Sequence, residues 1–178
     1  MSQAAFLVAV VGVSLLAACS SGGGPASKGV ESSGEAPKVG FMAPDFDLPD
    51  PNGGRVRLSD FRGHPVFLNF WATWCVPCRS EMPQMQQVFE EKQNDGLAVV
   101  AINLGESAQP LLAFANELGI TFTLALDKDQ TVTEKYRVLG LPSSFFVDRD
   151  GIIRAVKLGP FLSKEEIENR VQVIMANQ

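Results

Sequence analysis

Val66 to Trp71 is a run of six residues, apolar except for Asn69, and a segment with helical spacing begins within four residues of its end. Two cysteines, Cys75 and Cys78, straddle that junction. A short apolar run without alternation suits a strand covered on both faces. From about Cys75 to Gln93, the residues Met82, Met85, Val88 and Phe89 recur on one helical face. A doubly covered strand that runs straight into a helix commits the chain to a layered α/β arrangement.

The flanking segments repeat the alternation. Phe46 and Leu48, then Val56 and Leu58, alternate with polar neighbours around Pro51-Asn52-Gly53-Gly54, which reads as a hairpin. Ser59 to Phe61 reads as one helical turn. Leu97 to Leu104 is the next strand, and Ser107 is placed to cap a helix that holds Pro110 in its first turn and stops at Gly119. Phe122 to Leu126 is a strand and Gln130 to Tyr136 a short helix. Ser143 to Val147 and Gly151 to Leu158 read as strands around a turn at Asp148 to Gly151. Ser163 and Glu166 form a capping box for a last helix that reaches about Ala176. The order is a hairpin followed by β-α-β-α-β-α-β-β-α, which predicts a mixed sheet with helices on both faces.

The N-terminal part has a different character. Ala4 to Ala18 is almost wholly apolar or small, and no charged side chain precedes Lys28. The run is short of the roughly 20 residues that span a bilayer. It ends in Leu16-Ala17-Ala18-Cys19, small residues before a cleavage point. This stretch resembles a bacterial lipoprotein signal, which implies a signal peptide over residues 1–18 and lipidation of Cys19. The alternative is an uncleaved apolar anchor, and both place the rest of the chain outside the cytoplasm. Ser20 to Pro37 holds five Ser, five Gly and two Pro among 18 residues. Such a segment buries little and spans about 20–25 Å as a coil. Residues 19–38 are therefore expected to be a tether and residues 39–178 the folded domain. With a net charge of -5 and no basic cluster, the chain offers nothing to a nucleic acid.

The three cysteines divide as one plus two: Cys19, and the Cys75-x-x-Cys78 pair. At the start of a helix, unpaired N–H groups and the dipole favour a thiolate, and the thiolate is the nucleophile. Cys75 can attack a partner's disulfide, and Cys78 can resolve the mixed disulfide. Pro77 fits the first helical turn, where its missing N–H costs little. A purely structural disulfide would gain little from so short a loop. A structural zinc site needs about four ligands, and only His64, in a Gly-His-Pro turn, remains as a soft one. Trp74, directly before Cys75, is expected to shape a docking surface.

Phe70-Trp71-Ala72-Thr73-Trp74-Cys75-Val76-Pro77-Cys78 resembles the thioredoxin superfamily. Gly63 to Phe70, Arg79-Ser80-Glu81-Met82-Pro83 and Asn103-Leu104-Gly105-Glu106-Ser107 resemble its ResA/TlpA branch, the redoxins of AhpC-TSA type. The resemblance covers about Val39 to the C-terminus. It implies a thioredoxin-like fold with an N-terminal β-hairpin and a β-α insertion. It also implies a membrane-tethered thiol–disulfide oxidoreductase, often serving cytochrome c maturation. The redox-active disulfide Cys75–Cys78 would be its working group, with no added cofactor and no metal. Its partners would be protein disulfides such as apocytochrome c, and a membrane electron donor of the CcdA/DsbD type; the chain itself would be monomeric.

Three further positions take roles from the resemblance. Pro142 matches a cis-proline that faces the disulfide, and Leu141 would offer its backbone to the partner chain. By itself Leu141-Pro142 is an X-Pro bond at a strand start, where either isomer is open. Thioredoxin has a buried aspartate in the central strand where this chain has Asn69, which cannot exchange protons. The branch has instead a glutamate matching Glu81, which could move the Cys78 proton if burial raised its pKa. Otherwise Glu81 is a solvated helix residue.

Two other functions share the fold. A thiol peroxidase of peroxiredoxin type shows Pro-x-x-x-Thr-x-x-Cys; counted back from Cys75, those places hold Ala72 and Leu68. A Cu(I) or haem chaperone would suit soft thiolates, but copper-delivery relatives show a wider cysteine spacing and a distant histidine.

Overall fold

Val66–Trp71 forms β3, and every residue of it is buried. The computed structural model describes Met1 and residues 34–176. The apolar N-terminal run, Cys19 and the tether through residue 33 lie outside the described residues.

β3 is the middle of a five-stranded sheet. The other strands are β4 (Ala98–Leu104), β5 (Thr123–Asp127), β6 (Ser143–Val147) and β7 (Ile153–Leu158), in the order β5-β4-β3-β6-β7. The β3–β4 and β4–β5 pairs are parallel, whereas β6 lies antiparallel to both β3 and β7. Parallel neighbours require crossovers, and the helices supply them: α1 (Val76–Lys92) after β3, and α2 (Ala108–Leu118) after β4. α3 (Thr131–Lys135) leads from β5 toward β6, and α4 (Lys164–Met175) closes the chain. β5 adds a strand at the edge beyond β4, with α3 following it. β1 (Asp47–Pro49) and β2 (Arg55–Arg57) form the expected hairpin, with Leu48 opposite Val56.

The two faces of β3 feed two cores, as the period of a strand requires. Phe67 and Trp71 pack with Met82, Met85 and Val88 of α1, Leu111 and Phe114 of α2, and Ile167, Val171 and Ile174 of α4. Val66, Leu68 and Phe70 pack on the other side with Leu48, Val56, Val132 and Tyr136. α1 runs through Pro83 to Lys92; its apolar face is held by packing.

Helix ends follow local chemistry with two departures. Gly119 closes α2 in the left-handed region (φ 64), as expected. Ser107 stands at the N-cap of α2 but makes no side-chain cap hydrogen bond, a departure from expectation. At α4 the Ser163 hydroxyl accepts the Glu166 N–H at 3.2 Å. The Glu166 carboxylate accepts the Leu162 N–H, also at 3.2 Å, rather than the Ser163 N–H of a standard box. Ser163→Ala should lower stability by about 1 kcal/mol, read as a lower urea midpoint at an unchanged slope.

Backbone pairing begins slightly before Val39. Glu35 bridges Met42, and the Ala36 N–H donates to the Met42 carbonyl at 3.0 Å. Residues 35–38, assigned to the tether by their composition, thus take part in folded backbone pairing. The segment through Met42 bonds to the start of β7, which begins at Ile153 because Gly151 (φ 83) still belongs to the preceding turn.

Candidate active site

At the C-terminal end of β3 the chain turns once before entering α1. The Cys75 N–H donates to the Ala72 carbonyl at 3.1 Å, closing that turn. Cys75 has extended geometry (φ -80, ψ 100) and is the N-cap of α1. Its sulfur lies 3.3 Å from the Cys78 nitrogen, so the cysteine itself accepts one of the helix's unpaired N–H groups. Cys75 and Cys78 form a disulfide, with Cα atoms 5.3 Å apart. Cys75 keeps 5% of its surface exposed and Cys78 none, so an incoming group reaches the first sulfur and not the second. Once the disulfide opens, the helix N–H groups favour a thiolate on Cys75.

Cys75 lies in the wall of an open groove of about 770 Å³. Trp74, Val76 and Pro77 form one side of it, Leu104 to Glu106 another, and Val138 to Leu141 a third. Trp74 (68% exposed) and Leu139 (fully exposed) stand out as uncovered apolar side chains. The groove is thus an apolar-rimmed cleft with a reactive sulfur in its wall. The Leu141-Pro142 bond is cis. Leu141 lines the groove, and Pro142 is buried behind it with its carbonyl accepting the Gly159 N–H at 2.9 Å. The expected groups Trp74, Cys75 and Leu141 therefore meet at one cleft.

Glu81, one helical turn past Cys78, is fully buried. The Asn69 side-chain N–H donates to one carboxylate oxygen and the Phe161 backbone N–H to the other, each at 2.9 Å. The same Asn69 nitrogen donates to the Ser144 hydroxyl at 3.0 Å. Burial pushes the Glu81 carboxyl up to about 7, while the Phe161 N–H, the Asn69 amide and the Lys157 charge oppose the shift. A carboxyl so placed titrates near neutral pH, where a thiol proton must be moved. The solvated-helix alternative for Glu81 is excluded by its burial. Asn69, unable to exchange protons, holds the Glu81 carboxyl through its amide N–H.

His64 is exposed at the opposite end of β3, with its Nδ1 3.2 Å from the Gly96 carbonyl. Cys19, the expected lipidation site, lies outside the described residues.

Sequence reasoning assigned no role to Glu106. Its carboxylate accepts the Thr73 N–H and the Asn103 side-chain N–H, each at 2.7 Å, together with the Thr73 hydroxyl. Nothing local marks it out: a lone acid in a Gly-Glu-Ser loop reads as solvated.

The comparisons agree with this geometry. The AhpC/TSA family model matches residues 39–156. The chain is 40% identical over 136 residues to the thiol-disulfide oxidoreductase ResA of Geobacillus kaustophilus, covering 76% of this chain and 78% of that one. It is 40% identical over 125 residues to ResA of Bacillus subtilis, covering 70% of each. Among solved structures, a Chlorobium tepidum protein assigned as a thiol:disulfide interchange protein DsbE superimposes with a TM-score of 0.73 at 36% identity, over 78% of this chain and 98% of that one. StoA of Bacillus subtilis gives 0.62 at 26% identity, over 71% and 96%. With a matching family model, relatives of this identity and a cysteine pair bonded at the head of α1, the chain belongs to the AhpC/TSA family and is a thioredoxin-fold thiol–disulfide oxidoreductase of the ResA/DsbE type.

Proposed function

We propose that this oxidoreductase acts outside the cytoplasm, tethered through a lipid on Cys19, and reduces disulfides in partner proteins, apocytochrome c among them. The observation that carries the reading is the asymmetry of the pair: Cys75 reaches the groove, while Cys78 lies behind it, one turn from a buried carboxyl of raised pKa.

In the reduced enzyme the Cys75 thiolate attacks one sulfur of the partner's disulfide. A mixed disulfide forms and the partner's other sulfur leaves as a thiolate. Cys78 then gives its proton to Glu81 and attacks the Cys75 sulfur. The Cys75–Cys78 bond closes, the partner leaves reduced by two electrons, and the enzyme is left oxidised. Trp74 and the Leu141-Pro142 backbone hold the partner chain beside Cys75. Two electrons from a membrane donor of the CcdA/DsbD type restore the dithiol.

The test is the reduction potential of the Cys75–Cys78 couple, obtained by equilibration in defined thiol–disulfide buffers and counting of free thiols. A value at or below about −250 mV supports a reductant; one near about −120 mV makes the protein an oxidant and overturns the direction proposed.

A further inference from the structure

The turn that presents Cys75 is short, and few backbone groups hold it. Ala72 accepts the Cys75 N–H at 3.1 Å, so residues 72–75 form one closed turn. Thr73, in the middle of that turn, is bonded to Glu106 through both its N–H and its hydroxyl. The Glu106 oxygen that accepts the Thr73 N–H also accepts a side-chain N–H of Asn103, at 2.7 Å. Asn103 is an anchor: it is fully buried in β4, opposite Trp71 in the β3–β4 register. Glu106 therefore connects a fully buried strand residue to the turn that carries the nucleophile. Both of its oxygens are used, although it belongs to a loop and lines the groove. A backbone N–H in a tight turn has few other partners.

We infer that Glu106 is a positioning residue for disulfide exchange: its carboxylate fixes Thr73, and through the turn sets how Trp74 and the Cys75 sulfur face the groove. The inference rests on Cys75 being the nucleophile. In-line attack on a disulfide depends on geometry, and a displacement of about 1 Å can cost roughly a hundredfold in rate. Charge is not the operative property. In Glu106→Gln the amide oxygen can keep the Thr73 N–H and the Asn103 donor, while the amide N–H donates to a rotated Thr73 hydroxyl.

The experiment uses the full chain and three readouts: the rate of reduction of a synthetic disulfide peptide, the pH profile of Cys75 alkylation by iodoacetamide, and the melting temperature. Glu106→Ala should slow peptide reduction by about tenfold or more and displace the alkylation profile. Glu106→Gln should recover most of that loss. A contribution to folding alone would lower the melting temperature and leave the rate and the profile of the folded protein unchanged, and that result overturns the inference. So does a Glu106→Gln rate as low as that of Glu106→Ala, which would make the charge the operative property. Should Glu106→Ala fail to fold, Glu106→Asp replaces it, because its shorter arm cannot span Thr73 and Asn103 together. Loss with Asp and recovery with Gln support the assignment, whereas a wild-type rate with Asp overturns it. If Cys75 of the unsubstituted chain is not the thiol that alkylates first, the reading of the nucleophile falls, and the inference with it.

Discussion

Cys75→Ala abolishes exchange with protein disulfides, whereas Cys78→Ala completes the first step and stops with the partner attached through Cys75. The difference follows from where the two sulfurs lie. Cys75 is the N-cap of α1 and lines the groove, and an N–H of the first helical turn points at its sulfur. Cys78 has no exposed surface, so it cannot replace Cys75 in attacking an incoming disulfide. Its only accessible target is the mixed disulfide that Cys75 has already formed. Without Cys78 the intermediate lasts until an outside thiol cleaves it. The rate with a disulfide substrate should fall to background in Cys75→Ala. Non-reducing electrophoresis of Cys78→Ala from cells should show adducts that collapse on reduction and are absent from the double variant. Residual turnover in Cys75→Ala, or adducts that survive removal of Cys75, would place the nucleophile elsewhere.

The second large effect concerns Glu81 and pH. In the unfolded chain this carboxyl ionises near its ordinary 4.5; in the folded protein burial moves it up to about 7. Between those values the folded state holds a proton that the unfolded state has lost, so stability falls as pH rises. Below the window both states hold the proton and above it both have lost it, so the contribution is flat on either side. The fall across the window is about 3 kcal/mol, at about 1.4 kcal/mol per pH unit. Two carboxyls are shifted the other way. Asp47 is held low by its hydrogen bond from Arg55, and Glu166 by the Leu162 N–H. Their contributions are lost only at more acid pH. Urea denaturation of the oxidised protein, in which neither active-site cysteine titrates, should show the decline from about pH 4.5 to about pH 7. Glu81→Gln should flatten it. The same variant should slow the resolving step and remove the neutral limb of the rate profile, because an amide accepts no proton from Cys78. A wild-type slope in Glu81→Gln would mean that another group carries the titration.

The position of Glu81 also explains why it is worth its destabilising burial. Ionised Glu81 accepts N–H groups from Asn69 on β3 and from Phe161 in the loop after β7. The loop that donates this bond also carries Gly159, whose N–H reaches the carbonyl of Pro142. One carboxyl therefore lies between the helix of the resolving cysteine and the segment that holds the cis-proline. In the proposed mechanism this helix glutamate takes the proton-carrying part of thioredoxin's strand aspartate, and the Asn69 amide holds its carboxyl in place.

Features that depend on neighbours within about four residues could be read from the order of residue types. The apolar run of β3, the cysteine pair at the head of α1, the glycine stop at Gly119 and the Ser163 cap of α4 were all legible. A strand period, a helix turn and a cap are closed by nearby backbone atoms, and residue type reports directly on them. The cis state of Leu141-Pro142 was legible only through the family resemblance, since an X-Pro pair allows both isomers. The remaining features depend on contacts between segments far apart in the chain. Glu81 reads as a surface helix acid until Phe161, 80 residues away, donates to it. Glu106 reads as a solvated loop acid until the fold brings Thr73, 33 residues earlier, against it. Ser107 has the right residue type for a cap and makes no cap bond, and residues 35–38 have the composition of a tether yet pair with the backbone at Met42. Polar groups are neutral in meaning until it is known what desolvates them and what donates to them, and both come from segments remote in sequence. Spacing along the chain placed the sulfurs; packing across it supplied the carboxylates around them.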